Sequence, residues 1–370
     1  MSGSGVVVIG GFCLDCIVTT DTLPAWGDDL RVDAVRTRPG GKGLNQAVAL
    51  ARRGVPVRAV GVVGGDTTGR ELLAALRAEG VDAATMAVRP GAATPVCVVL
   101  AHPDGRTAFL CRWAEAVELT PADLAPAREA IRSARAVIVT FDPPPATVRA
   151  AVDHALAAGA ALVVHPAPPE RAAAAALVDL PWDRVSVATP NEQEARLLLA
   201  AAGDPAADGP GAQLAAAFGH RFGTPLVCVT RAEHGVAVWD GTRSWARPAH
   251  PTTVVDTTAA SDAFTAALTH VLFAGDAPAT DTHATATDTD TDTTDTNTPA
   301  TDAGRLHVPA SATRPSGIVL AAVEAGLAAA AWTVRHRGAL DALPRLAGSP
   351  ERPPAGPALL APEGVFRHKA

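Results

Sequence analysis

Short apolar runs, separated by turn residues and by longer alanine-rich stretches, set the pattern of this chain. Val6–Ile9 is apolar throughout and reads as a buried strand that ends at Gly10-Gly11. Residues 57–63, 96–100, 107–111, 137–140, 162–165, 185–187 and 226–230 read as further strands. Helical runs lie between them at 70–79, 146–158, 192–201 and 213–222, and a long alanine-rich helix covers 318–334. His102-Pro103-Asp104-Gly105 separates two β runs and marks a hairpin. Strand–helix alternation with short loops predicts an α/β fold, a mainly parallel central sheet with helices on both faces. In such a sheet ligands gather beyond the carboxyl ends of the strands.

Two stretches interrupt this rhythm with unusual small and polar residues. In Arg38-Pro39-Gly40-Gly41-Lys42-Gly43-Leu44-Asn45-Gln46-Ala47 an extended segment ends on glycines, and a helix runs from about Ala47 to near Gly54. The spacing is not that of a Walker loop. A glycine turn with Lys42 and Asn45 at a helix start suits a polyhydroxylated ligand, while a tight turn with an Asn cap accounts for the same letters. In the second stretch Val254-Val255 closes a strand, Thr257-Thr258-Ala259-Ala260-Ser261 turns, and Asp262 opens an apolar helical run. Small residues there let the unpaired N–H groups of a helix start approach an anion. A carboxylate at that place can take a proton from an attacking hydroxyl, and an ordinary N-cap turn is the alternative.

Other strand ends carry polar residues. Asp15, in the extended run 12–18, is a turn residue or a ligand contact at a strand end. Asp142 follows the 137–140 strand, and Thr230-Arg231 follows 226–230. Asn191 and Glu194 lie three apart on one helix face, where they can hold a hydrated Mg²⁺ near phosphates or cap the helix.

Composition narrows the reading further. With 370 residues and 48% hydrophobic content the chain can bury a large core. The start shows no basic-then-apolar signal and no apolar run is long enough for a bilayer, so a soluble, cytoplasmic protein without a membrane partner is expected. The net charge of −7 is local, because Asp276 to Gly304 carries seven aspartates and no Lys or Arg. Residues 276–316 read as a disordered Thr/Asp/Ala-rich insertion and 350–370 as a Pro-rich tail. No basic face for nucleic acid is present. The five cysteines lack a complete metal or redox pattern and read as reduced, partly buried thiols. Lysine occurs only at Lys42 and Lys369, which sets Lys42 apart inside its glycine cluster.

The two stretches, with Gly65-Asp66-x-x-Gly69, Pro166-Ala167-Pro168, Thr189-Pro190-Asn191-Glu192-x-Glu194 and Val229-Thr230 in order between them, resemble the ribokinase family of sugar kinases, the PfkB-type carbohydrate kinases. The resemblance covers the chain apart from the insertion and tail and implies one kinase domain over 1–370, with a small β lid from 12–38 and 95–112. It implies an ATP-dependent enzyme that phosphorylates a primary hydroxyl of a ribose-like sugar, using Mg²⁺ and a potassium-type ion, with a homodimer as one expected assembly. Asp15, Gly41, Lys42, Asn45 and Asp142 would bind sugar, and Asp262 would be the catalytic base. Ala259, Ala260 and Ser261 would form the anion hole. Asn191, Glu194 and Thr230 would serve nucleotide and Mg²⁺, the last through water on Glu194. Asp256 and Thr258 would hold the monovalent cation.

Four positions depart from the family's wording: Ser261 for a glycine before the base, Ala232 after Arg231 for another, Trp113-Ala114-Glu115 for Gly-Ala-Asn, and His165 for Asn before Pro-Ala-Pro. If Ser261 needs positive φ, its Cβ costs about 1–2 kcal/mol. An impaired sugar- or nucleotide-binding relative with a regulatory role, or a nucleoside kinase, is therefore the alternative reading.

Overall fold

Residues 5–103, 106–168, 171–274 and 316–345 are described by a computed structural model. The strands are β1 (Val6–Ile9), β2 (Cys13–Thr19), β3 (Ala34–Gly40), β4 (Val57–Val60), β5 (Val62–Gly64), β6 (Ala87–Arg89) and β7 (Val96–Ala101), followed by β8 (Thr107–Arg112), β9 (Ala136–Thr140), β10 (Ala161–His165), β11 (Val187–Ala188), β12 (Val227–Thr230), β13 (Val236–Trp239) and β14 (Ser244–Arg247). The helices are α1 (Lys42–Ala51), α2 (Thr67–Ala78), α3 (Arg128–Ser133), α4 (Pro145–Ala158) and α5 (Arg171–Ala175), then α6 (Glu192–Ala201), α7 (Leu214–Phe222), α8 (Ala260–Thr269), α9 (Ser316–Thr333) and α10 (Ala339–Ala342).

The large sheet has eight strands in the order β14-β13-β12-β11-β10-β9-β1-β4. Neighbours from β4 to β12 run parallel, and β13 and β14 add an antiparallel edge. Side chains alternate across a strand, so the all-apolar β1 serves two cores. Val6 and Val8 pack with residues of α1, α8 and α9, while Val7 and Ile9 pack with residues of α4, α6 and α7. Helices therefore cover both faces, as the alternation predicts. A second sheet, β3-β2-β7-β8, stands apart and falls within the segments 12–38 and 95–112 but for the last two residues of β3.

Several expectations need correction. The 57–63 run is two strands: Gly61 breaks it, its carbonyl accepting the Ala87 N–H at 2.8 Å, and β5 then pairs with β6 outside the large sheet. A side chain at Gly61 would run into the Phe12 ring. Val254-Val255 closes no strand; the N–H groups of Val255 and Asp256 instead donate to the Val334 carbonyl at the end of α9. The apolar run from Ala47 continues a helix that begins at Lys42, so Lys42 and Asn45 do lie at its start. Asp15 lies inside β2, at neither a turn nor a strand end. Cys97 and Cys111 are not both reduced: the antiparallel register of β7 and β8 sets them opposite each other, Cα atoms 4.1 Å apart, and they form a disulfide. Cys13, Cys16 and Cys228 are free thiols. Residues 276–315 of the insertion, the tail and the Asp104-Gly105 turn lie outside the described residues, and Ser316 begins α9.

Candidate active site

The carboxyl ends of β1, β9, β10, β11 and β12 share one edge of the large sheet, and the site is built there. After β1 the chain passes Gly10-Gly11, against which the second glycine turn is pressed. The Gly43 N–H donates to the Gly11 carbonyl at 3.0 Å. Gly41 has φ 94°, and a Cβ on it would lie 2.6 Å from that same carbonyl oxygen, so glycine is required twice over. This close approach aims the first turn of α1 at α8. Asn45 Nδ2 then donates to Asp262 Oδ2 and Gln46 Nε2 to Asp262 Oδ1, each at 2.9 Å.

Asp262 is the third residue of α8 and is buried. It caps nothing. The N-cap is Ala259, at φ 63°, without a side-chain cap bond, so the ordinary N-cap reading of this turn is overturned. Among the described residues the N–H groups of Ala259, Ser261 and Asp262 have no main-chain acceptor, as expected of a first helical turn. Ser261 sits within α8 and has no positive φ, so the condition that would make it costly is not met. Positive φ falls instead on Ala259 and on Ala232, at 48°. Burial raises the Asp262 carboxyl above the usual range, against the opposing pull of Asn45, Lys42 and Gln46. A carboxylate with raised proton affinity, fixed by two amides beside unpaired N–H groups, can accept a proton while a neighbouring anion is held.

Around this centre stand the other residues singled out in the sequence. Lys42 Nζ is 3.4 Å from Asp142 Oδ1. Asp142 also accepts from Thr140 Oγ1 at 2.7 Å and from the Gly11 N–H at 3.4 Å. Asp142 raises the Lys42 ammonium above its ordinary value, outweighing burial. Burial alone would push the Asp142 carboxyl up, but Lys42 and the Thr140 hydroxyl hold it below the usual range. Asp15, on β2 of the small sheet, is buried, and burial pushes its carboxyl up to about 6. Gly40 lies directly against that carboxylate. The Trp113 indole packs over Gly11 beside Asp142, at one of the four positions where the wording departs.

A second group lies along the same edge. Asn191 and Glu194 form a reciprocal capping box at the start of α6, with Glu194 Oε2 2.8 Å from the Asn191 N–H and Asn191 Oδ1 2.9 Å from the Glu194 N–H. The capping reading is thus realised, and burial still raises the Glu194 carboxyl. Thr230 joins them through the main chain, its N–H donating to the Pro190 carbonyl at 3.0 Å. Asp256 and Thr258 form a third group: the buried Asp256 accepts from the Thr258 N–H at 2.9 Å and the Gly338 N–H at 2.8 Å. The Thr258 hydroxyl is buried without a hydrogen-bond partner among the described residues, so oxygen donors for a monovalent cation are at hand. Among the described residues no cluster of three or more His, Cys, Asp or Glu side chains could hold a metal.

Reasoning from the residues alone missed Gln46, Thr140 and the partners of His165. Gln46 stood in the glycine motif next to Asn45, and a helix beginning at Lys42 would have placed both on the turn that meets Asp262. Among the described residues no helix is long and apolar enough to cross a membrane.

Comparison with known proteins agrees with the geometry. Residues 4–286 match the pfkB family carbohydrate kinases. A ribokinase of Bacillus subtilis (strain 168) is 31% identical over 271 residues, covering 73% of this chain and 86% of that one. The structure of Arabidopsis thaliana ribokinase complexed with ribose and ATP superposes with a TM-score of 0.65 at 22% identity, over 93% of this chain and 96% of that one. A putative ribokinase II from E. coli in complex with ATP and Mg²⁺ gives a TM-score of 0.67 at 19% identity, over 92% and 96%. At these identities the two structures speak for the fold.

Proposed function

Because the chain belongs to the pfkB family of carbohydrate kinases, we propose that it transfers the γ-phosphoryl group of ATP to a primary hydroxyl of a ribose-like sugar, with Asp262 as the general base. One observation carries this reading: the Asp262 carboxylate is held by Asn45 and Gln46 at the start of α8, where main-chain donors stand unpaired. Asp262 takes the proton of the attacking hydroxyl, and the N–H groups of Ala259 and Ser261, together with that of Ala260, which also donates to the Thr257 carbonyl at 3.3 Å, receive the charge that develops on the phosphoryl oxygens. Asp15, Gly41, Lys42, Asn45 and Asp142 grip the sugar. The small sheet that carries Asp15 acts as the lid.

Asn191, Glu194 and Thr230 would face the nucleotide, with Glu194 placed to hold Mg²⁺ through water. When bound, that ion supplies positive charge to the phosphates. Asp256 and Thr258 fit a potassium-type ion, whose fixed charge would steady the anion hole. A homodimer belongs to the same reading. It is supported by Leu23, Trp26, Val35, Phe109 and Leu110, all exposed on the small sheet or in the loop between β2 and β3. A monomer mass by light scattering at working concentration would remove it.

The test is ADP release with Mg²⁺ and K⁺ over pentoses, hexoses and nucleosides, with Asp262→Asn in parallel. Turnover on ribose that the variant lacks supports the reading. Ligand-induced thermal stabilisation without ADP release would favour an impaired, regulatory relative, a reading motivated by Ala232 at positive φ in the nucleotide loop. Turnover confined to nucleosides would make the chain a nucleoside kinase.

A further inference from the structure

His165 ends β10 and is wholly buried, with Nδ1 3.1 Å from Gln46 Nε2 and 3.2 Å from Thr265 Oγ1. The same Gln46 nitrogen donates to Asp262 Oδ1 at 2.9 Å. An ionised carboxylate only accepts hydrogen bonds, so the NH₂ end of Gln46 must face Asp262. One hydrogen of that NH₂ is spent on Asp262, and the other points at His165. His165 Nδ1 therefore carries no proton, and the neutral ring bears its hydrogen on Nε2. Among the described residues that atom has no hydrogen-bond partner, and it lies 4.0 Å from Glu194 Oε2. Thr265, which also reaches Nδ1, is paired at 2.9 Å with the Thr189 hydroxyl.

The opposite tautomer would set an N–H of the ring against the amide N–H. Relief would need Gln46 to turn over, which would let its carbonyl oxygen accept from the ring but press that oxygen against the Asp262 carboxylate and lose the hydrogen bond between them. We propose that His165 is a positioning residue: as the Nε2–H tautomer it fixes the face of the Gln46 amide, and through it the orientation of the Asp262 carboxylate. It is wholly buried and acts on Asp262 only through Gln46. This rests on the reading of Asp262 as base and adds a residue to it. An Asn at this place, the family's usual residue, has a carbonyl oxygen with which to accept from Gln46, whereas a Leu side chain has no acceptor.

The test pairs two variants with one spectroscopic measurement. His165→Leu should lower kcat about tenfold to a hundredfold with the KM for sugar and ATP little changed, since a misaimed base costs rate rather than binding. His165→Asn should recover most of that loss. Nitrogen-15 spectra of histidine-labelled wild type should show His165 protonated at Nε2 and bare at Nδ1. Wild-type kcat in the Leu variant, failure of Asn to recover more than Leu, or a proton on Nδ1 would each overturn the proposal. If the Leu variant does not fold, the tautomer and the Asn variant still decide. Asp262→Asn separates the two levels: turnover in that variant sinks the base itself, whereas its loss beside an unaffected His165→Leu sinks only the positioning role.

Discussion

At the scale of the residue, backbone conformation and burial decide what each side chain can do. Ser261 departs from the family's wording at the position before Asp262, yet it lies in helical conformation, so no strain is stored there. Ser261→Gly should accordingly leave kcat unraised and lower stability by about 0.5 kcal/mol, read from denaturant midpoints. A several-fold gain in kcat would show that the serine does impair the site.

Asp15 is governed by burial. Its folded-state pKa is raised, so between pH 3.8 and about 6 the folded state holds a proton that the unfolded chain has released. Stability contributed by the neutral form is complete below that window and is lost as pH rises through it. Asp15→Asn should therefore be more stable than wild type by about 3 kcal/mol above the window and no different below it. Urea unfolding at the two ends checks this, and equal stability at both would contradict it.

At the scale of the element, α1 joins the site to the rest of the molecule. Its first turn presents Lys42, Asn45 and Gln46, and its C-cap is Arg52. Arg52 is buried against Glu79 at the end of α2, with Nε to Oε2 at 2.9 Å and a second nitrogen to Oε1 at 2.7 Å. Arg52 also donates to the carbonyls of Leu340 and Leu343, tying down the segment that follows α9. Removing Arg52 takes one of two cationic partners from the buried Glu79 carboxylate, Arg345 remaining at 2.7 Å, and strips a donor from the carbonyls of Leu340 and Leu343. Arg52→Met should cost about 3 kcal/mol in denaturant unfolding, and a loss below about 1 kcal/mol would show the pair to be dispensable.

The glycine turn and the start of α1 were legible as a motif, but the reason the helix starts there was not. Lys42-Gly43 looks like turn sequence, and only the packing of Gly43 on the Gly11 carbonyl makes it helical. Val254-Val255 misled in the opposite direction. Two β-branched residues suggest a strand, but their main chain is claimed by the end of α9, some eighty residues away in sequence.

At the scale of the whole molecule, the parallel sheet could be read directly. Runs such as Val6–Ile9 are apolar at every position because both faces are covered, and that pattern has few other meanings. What could not be read was pairing between distant segments. The β7–β8 register that joins Cys97 to Cys111, the antiparallel edge of β13 and β14, and the Gln46–His165 contact all depend on long-range placement. The candidate site is of the same kind. Its residue types stood in two motifs, while their meeting at Asp262 is a property of the fold.

That meeting is tested most directly by comparing wild type with Asp262→Asn for ADP release and for ribose binding by calorimetry. The account expects kcat to fall about a thousandfold while the variant still binds the sugar. Turnover within tenfold of wild type would contradict it.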